Sequence, residues 1–147
     1  MTKPSIIFVC TGNCCRSQMA EGLMCQLAGD RFEVLSAGSH PAWYVHPLAI
    51  VVMAEVGIDI SGHVSKGIDE LTGRQFDYVV TVCDYAQAHC PALVGRIATF
   101  HWPFDDPAMM LGDEEAALEK ARCVRDEIRA RLTCFLEEHS GTPAGNP

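Results

Sequence analysis

Apolar positions along the chain fall into two kinds of run, and the two kinds alternate. Residues 5–9 (SIIFV) form a short, nearly all-apolar, β-branched stretch, which suits a strand buried on both faces. Beyond a polar loop, Ala20, Leu23, Met24 and Leu27 recur at i, i+3, i+4 and i+7, predicting an amphipathic helix that closes at Gly29. Residues 32–36 predict a second strand, and residues 47–56 a strongly apolar helix ended by Gly57. A third buried strand is expected at 76–82 (FDYVVTV) and a short fourth at 96–100. A last helix is expected over about 113–138, where Ala117, Ala121, Val124, Ile128, Leu132 and Phe135 repeat every three or four residues. Asp113, Glu114 and Glu115 are expected in its first turn, where the helix dipole favours anions. Strands alternating with helices predict one α/β domain, a four-stranded parallel sheet flanked by helices with right-handed crossovers. That domain is expected to span 1–139, with 140–147 (SGTPAGNP) a disordered tail.

Composition narrows the function. The 147 residues suit a single core, and 48% hydrophobic with 20% charged residues excludes disordered, collagen-like and membrane-spanning classes. Eleven Lys and Arg against nineteen Asp and Glu leave a net charge of −8, so general attraction to nucleic acid is not expected. An anion would have to be held in a local pocket against that field. Lys3 is followed by only a short apolar run, residues 6–10, too brief for a secretory signal or a spanning helix. A cytoplasmic protein is expected, with no membrane association. The eight cysteines, at 10, 14, 15, 25, 83, 90, 123 and 134, then point to chemistry or metal more than to structural bridges.

The spacing C-x5-R occurs four times: Cys10–Arg16, Cys25–Arg31, Cys90–Arg96 and Cys123–Arg129. Only Cys10 stands at the carboxyl end of a buried strand, before a glycine-bearing turn that opens into a helix. Open α/β sheets bind ligands at such a place. Gly12 is expected to let the backbone curl so that successive N–H groups face an oxyanion. The helix beginning near Ser17 adds its positive end, and Arg16 a fork for two oxygens of a tetrahedral anion. The same field should hold Cys10 as a thiolate nucleophile, with Ser17 donating a hydrogen bond to it. The expected substrate-binding set is Thr11, Gly12, Asn13, Cys14, Cys15, Arg16 and Ser17.

The stretch VCTGNCCRSQMAEG resembles the phosphate loop of low-molecular-weight protein tyrosine phosphatases, and more closely that of the related thioredoxin-coupled arsenate reductases. The likeness continues in GIDIS (57–61), VVTVCDYAQAHCP (79–91) and HWPFDDPA (101–108), so it covers nearly the whole chain. The family usually has Ser where this chain has Cys14, and Gly where it has Pro103. The resemblance implies a low-molecular-weight phosphatase-like fold in which the strands before Cys10 and Cys83 are neighbours. It implies an arsenate reductase serving arsenic detoxification: catalytic Cys10, Arg16, Cys83, Cys90 and Asp106, with Asp105 the fallback acid. Cys10 would attack arsenate, Cys83 would attack Cys10, and Cys90 would take over the disulfide for reduction by thioredoxin. No bound cofactor is implied, since thiols supply the electrons. Phosphate and sulfate are expected to compete with arsenate, and the protein is expected to act as a monomer. If Asp84 caps a helix, Cys83 and Cys90 are separated by about 10.5 Å of rise, so joining them requires that helix to unwind.

Other readings are weaker. A phosphotyrosine phosphatase would need no Cys83 or Cys90, and Ala108-Met109-Met110 lacks the aromatic pair such phosphatases place after Asp-Pro. Zinc would need paired Cys or His ligands, and the histidines show no such spacing, so no metal site is expected. A thiol sensor for arsenite or soft metals would bind without turnover. Cys25, Cys123 and Cys134 are read as structural, and His101-Trp102 as packing at a strand end. Some relatives bind potassium through residues matching Asn13, Glu21 and Ser36, but Val64 and Lys66 stand at the remaining positions here, so the Lys66 ammonium is expected in the cation's place.

Overall fold

In the computed structural model, residues 3–71, 73–89, 93–107 and 113–139 are described. Strand β1 (Ser5–Cys10) is buried at every position, as its apolar run requires. It leads into α1 (Arg16–Ala28), then β2 (Glu33–Gly38) and α2 (Pro47–Ala54). A single 3-10 turn, Ile68–Leu71, precedes β3 (Tyr78–Thr81), the short α3 (Asp84–His89), β4 (Ala98–His101) and α4 (Glu114–His139). The four strands form one parallel sheet in the order β2-β1-β3-β4. This is the expected α/β architecture.

The apolar stripe of α4 is buried along its length, from Ala117 through Ala121, Val124, Ile128 and Leu132 to Phe135, and packs on α1 and α2. At its far end Phe135 meets Tyr78, Phe100 and Trp102 in edge-on ring contacts that tie the helix to β3 and the end of β4. Several boundaries differ from those expected. Strand β2 runs two residues further because Ser36, Ala37 and Gly38 pair with Phe8, Val9 and Cys10. Asp113 lies outside α4 as its cap, its carboxylate accepting from Ala116 N at 3.2 Å. Gly29 closes α1 without a left-handed turn: its φ is −63°, and a Cβ there would lie 2.5 Å from the Cys25 carbonyl. Cys25, Cys123 and Cys134, expected to be structural, are exposed. No described helix is long and apolar enough to cross a membrane. Residues 140–147, the expected tail, and Cys90 lie outside the described residues.

Candidate active site

The order β2-β1-β3-β4 puts a topological switch between β1 and β3, since the chain leaves β1 toward β2 on one side and later returns to β3 on the other. Ligands of open α/β sheets bind at the carboxyl ends of strands flanking such a switch. Cys10 ends β1, and Cys83 follows β3 by two residues.

Residues 39–46 run alongside the loop after β1 and take up its carbonyls. Ser39, His40, Ala42 and His46 donate their backbone N–H groups to the carbonyls of Cys10, Thr11, Gly12 and Cys14 at 2.8–3.1 Å. Ser65 Oγ donates to the Gly12 carbonyl as well, at 3.0 Å. A trans peptide unit points its C=O and N–H in opposite directions. Carbonyls drawn outward therefore turn the N–H groups of the following residues toward the inner side of the loop. Asn13 N reaches that sulfur at 3.2 Å.

Asn13, not Gly12, makes the sharp curl. Its φ is +48°, in the left-handed region that Asn tolerates better than most residues, whereas Gly12 is not among the positive-φ glycines. The buried Asn13 side chain then ties the loop down. Its Nδ2 donates to Ser17 Oγ (2.8 Å) and Ser36 Oγ (2.9 Å), and its Oδ1 accepts from Lys66 N (2.9 Å) and Gln18 Nε2 (3.1 Å). With an acceptor role toward Asn13, Ser17 Oγ keeps its own hydrogen for Cys10 Sγ, 2.9 Å away. Two donors thus converge on one sulfur.

A cavity of about 300 Å³ opens above it, lined by Cys10, Thr11, Gly12, Cys14, Cys15, Arg16 and Asp106. Arg16 crosses this cavity: Nη1 donates to the Phe104 carbonyl at 3.1 Å and Nη2 lies 3.3 Å from Asp106 Oδ2. Asp105 points elsewhere, into an ion pair with Lys120 at 2.6 Å, and is 73% exposed against 27% for Asp106. Of the two acids, Asp106 is the one facing the pocket. Burial, with the neighbouring negative charge of Cys10 and Asp106, pushes the Cys14 thiol up to about 11; burial followed by Asp106 raises Cys15 further. Both stay protonated at neutral pH and compete poorly as nucleophiles.

Cys83 is buried, and its sulfur lies 3.3 Å from Thr11 Oγ1, within the same loop. It also caps α3, accepting from Ala86 N at 3.4 Å, so the cap is Cys83 itself and Asp84 is the first helical residue. His101 does more than pack: Trp102 is the buried member of that pair, while His101 contacts Asp84. No group of three or more potential metal ligands occurs among the described residues.

Three contributors to the site were not foreseen. Gly38 lies opposite Cys10, where a Cβ would stand 2.6 Å from the Thr11 carbonyl oxygen and 2.9 Å from Asn13 N. Gln18 is fully buried and bonds both the carbonyl and side chain of Asn13. Ser65 braces Gly12 from outside. A small residue ending the strand next to β1 was a usable signal for Gly38; Gln18 and Ser65 depend on contacts that spacing does not reveal.

The chain matches the low molecular weight phosphotyrosine protein phosphatase family over residues 5–140. It is 46% identical to the arsenate reductase of Halalkalibacterium halodurans over 137 residues, 93% of this chain and 98% of that protein. Among solved structures it is similar to an arsenate reductase in a phosphate-binding state, with a TM-score of 0.79 and 34% identity, covering 92% of this chain and 98% of the other. It is also similar to a thioredoxin-dependent arsenate reductase of Corynebacterium glutamicum, with a TM-score of 0.66 and 27% identity, covering 92% of this chain and 63% of the other. With an oxyanion loop of this geometry matched along almost its full length, the chain belongs to the low molecular weight phosphotyrosine protein phosphatase family, alongside relatives named as arsenate reductases.

Proposed function

We propose that the protein reduces arsenate to arsenite, using Cys10, Cys83 and Cys90 in succession and thioredoxin as the final reductant. The observation that carries this reading is the second buried thiol: Cys83 touches the oxyanion loop through Thr11, a placement hydrolysis does not need. Relatives named as arsenate reductases, one of them thioredoxin-dependent, support it.

Arsenate occupies the pocket between the inward N–H groups of the loop and Arg16, which exchanges Asp106 and Phe104 for substrate oxygens. Cys10 Sγ attacks arsenic, and Asp106 protonates the departing oxygen so that water leaves. Cys83 then attacks Cys10 Sγ. The S–As bond breaks, its electron pair goes to arsenic, and arsenite departs with a Cys10–Cys83 disulfide left behind. Cys90 attacks Cys83, forming Cys83–Cys90 and releasing Cys10 as thiolate. Thioredoxin supplies two electrons to that last disulfide, so no bound cofactor takes part.

Arsenate-dependent oxidation of NADPH through thioredoxin and its reductase tests the overall reaction. Cys90→Ser should release about one arsenite per enzyme and stop as Cys10–Cys83, the outcome expected when the last exchange is blocked. Repeated turnover by Cys90→Ser with thioredoxin would overturn the relay.

A further inference from the structure

Helix α3 has six residues, far below the roughly 12–15 at which an isolated helix is even marginally stable, so its order comes from what anchors it. Apolar burial contributes little, because Ala86 is the only buried side chain from Asp84 to Ala88. A hollow of about 320 Å³, lined by Gln87, Leu93 and His101 among others, lies on one side of the helix. Besides the Cys83 cap, two side-chain contacts from other elements grip the first turn. Tyr85 meets the His40 ring edge-on at 5.4 Å, and Asp84 Oδ1 lies 2.7 Å from His101 Nε2.

The second grip has a rigid base. His101 ends β4 in register with Thr81 of β3, and its Nδ1 lies 2.8 Å from Thr81 Oγ1. The imidazole is thereby fixed by the sheet on one nitrogen and holds the helix with the other. A carboxylate only accepts, so Nε2 carries the hydrogen of the Asp84 contact in the charged and the neutral ring alike. Asp84 directly follows Cys83, and it heads the very segment that must unwind for Cys83 to meet Cys90.

We propose that His101 and Asp84 are positioning residues for the last disulfide exchange: their contact keeps α3 wound and sets how fast it opens. The inference rests on the relay proposed above. In the step concerned, the Cys83–Cys90 bond forms as Cys10–Cys83 breaks, Cys10 leaves as thiolate, and the Cys90 proton passes to solvent. No net oxidation occurs. Asp84 is 87% exposed, so the contact has the strength of an exposed pair and its loss should change the opening rate by about two- to fivefold.

The test uses the full-length reduced enzyme in a single turnover, quenched by acid at intervals, with disulfides mapped by mass spectrometry. In Asp84→Ala and in His101→Leu, arsenite release should keep its wild-type rate. Conversion of Cys10–Cys83 to Cys83–Cys90 should quicken by about two- to fivefold, and the double variant should gain no more than either single one. Hydrogen exchange in the resting enzyme should accelerate by a similar factor at 84–89 and stay unchanged in β1 and β3. Asp84→Glu, which restores a carboxylate, should recover part of the wild-type rate. Exchange at wild-type rate in both variants, or fully additive effects, would overturn the proposal. Wild type that never forms Cys83–Cys90 would instead remove the relay, and resting-state hydrogen exchange would still decide whether the contact holds α3.

Discussion

Gly38→Ala puts the construction of the oxyanion loop to a direct test. The added methyl would lie 2.6 Å from the Thr11 carbonyl oxygen, 2.9 Å from Asn13 N and 3.0 Å from Asn13 Cβ. Two of the three are backbone atoms of the loop, so no flexible side chain can swing aside. The Thr11 carbonyl is moreover held by His40 N at 2.8 Å, and Asn13 N is a donor to Cys10 Sγ at 3.2 Å. Relief of the clash must move the loop against both bonds. Overpacking of this kind costs about 1–3 kcal/mol. For a domain of this size that corresponds to a fall in Tm of roughly 2–12 °C. The catalytic loss should be larger in proportion, since displacement of positioned groups by about 1 Å can cost on the order of a hundredfold in rate. Gly62→Ala is the matched control: nothing lies within 4 Å of a Cβ there, and stability should stay within about 0.5 kcal/mol of wild type. Urea unfolding gives the stability change, and titration with inorganic phosphate gives anion affinity separately from turnover. Wild-type phosphate affinity and rate in Gly38→Ala would refute the claim that this glycine seats the loop.

Asp106→Asn should lower the rate of arsenite formation by about 10²–10⁴, while Asp105→Asn, which breaks only an exposed pair with Lys120, should leave it within about twofold; the reverse ranking in single-turnover rates would reassign the acid. Burial alone would raise the Asp77 pKa, but bonds from Ser5 N and Arg96 more than offset it and hold the carboxyl below its ordinary value. A depressed folded pKa gives stability that is complete above the unfolded value near 4 and is lost as pH falls through the folded one. Asp77→Asn should therefore cost about 1.5–3 kcal/mol at pH 7 and flatten that acid limb, which urea midpoints from pH 2 to 7 will read. Potassium over matched sodium should change neither Tm nor rate, because Lys66 Nζ lies 3.9 Å from Glu21 Oε1 and 3.4 Å from the Val64 carbonyl; a clear potassium gain would place a cation there.

What could be read from sequence was whatever the chain builds from neighbours along itself. The strand, loop and helix around Cys10 are contiguous, so the strand before it and the helix after it singled out Cys10, with Arg16 and Ser17, from four matches to the same spacing. The end of β2 was missed because Ala37 and Gly38 carry no local strand signal; they join the sheet by register with Val9 and Cys10. Curl at Asn13 in place of Gly12 has the same origin. A left-handed Asn becomes favourable once Ser17, Ser36, Lys66 and Gln18 satisfy its side chain, and two of these are distant in sequence. Choosing between Asp105 and Asp106 required the positions of Lys120 and Arg16, which only tertiary structure supplies.

The sheet also dictates where a second thiol can stand. Adjacent strands lie about 4.8 Å apart, whereas a disulfide needs Cα atoms about 4.4–6.8 Å apart. A thiol after β3, next to β1, can approach Cys10 with modest loop motion, but one after β4 would start two strand spacings away. Cys83 occupies one of the positions the topology allows. Hydrolysis asks nothing of that position, because water can take a phosphoryl group from Cys10 within the same loop. Under the proposed relay, position 83 therefore separates two reaction classes on one scaffold. Cys83→Ser should keep weak hydrolysis of small aryl phosphates, read with a chromogenic ester, while releasing essentially no arsenite. Its serine hydroxyl can still face Thr11 Oγ1, so the loop should retain its shape and its phosphate affinity. Loss of both activities together, with phosphate affinity gone, would mean that Cys83 holds the loop in place and is not the thiol that reduces arsenic.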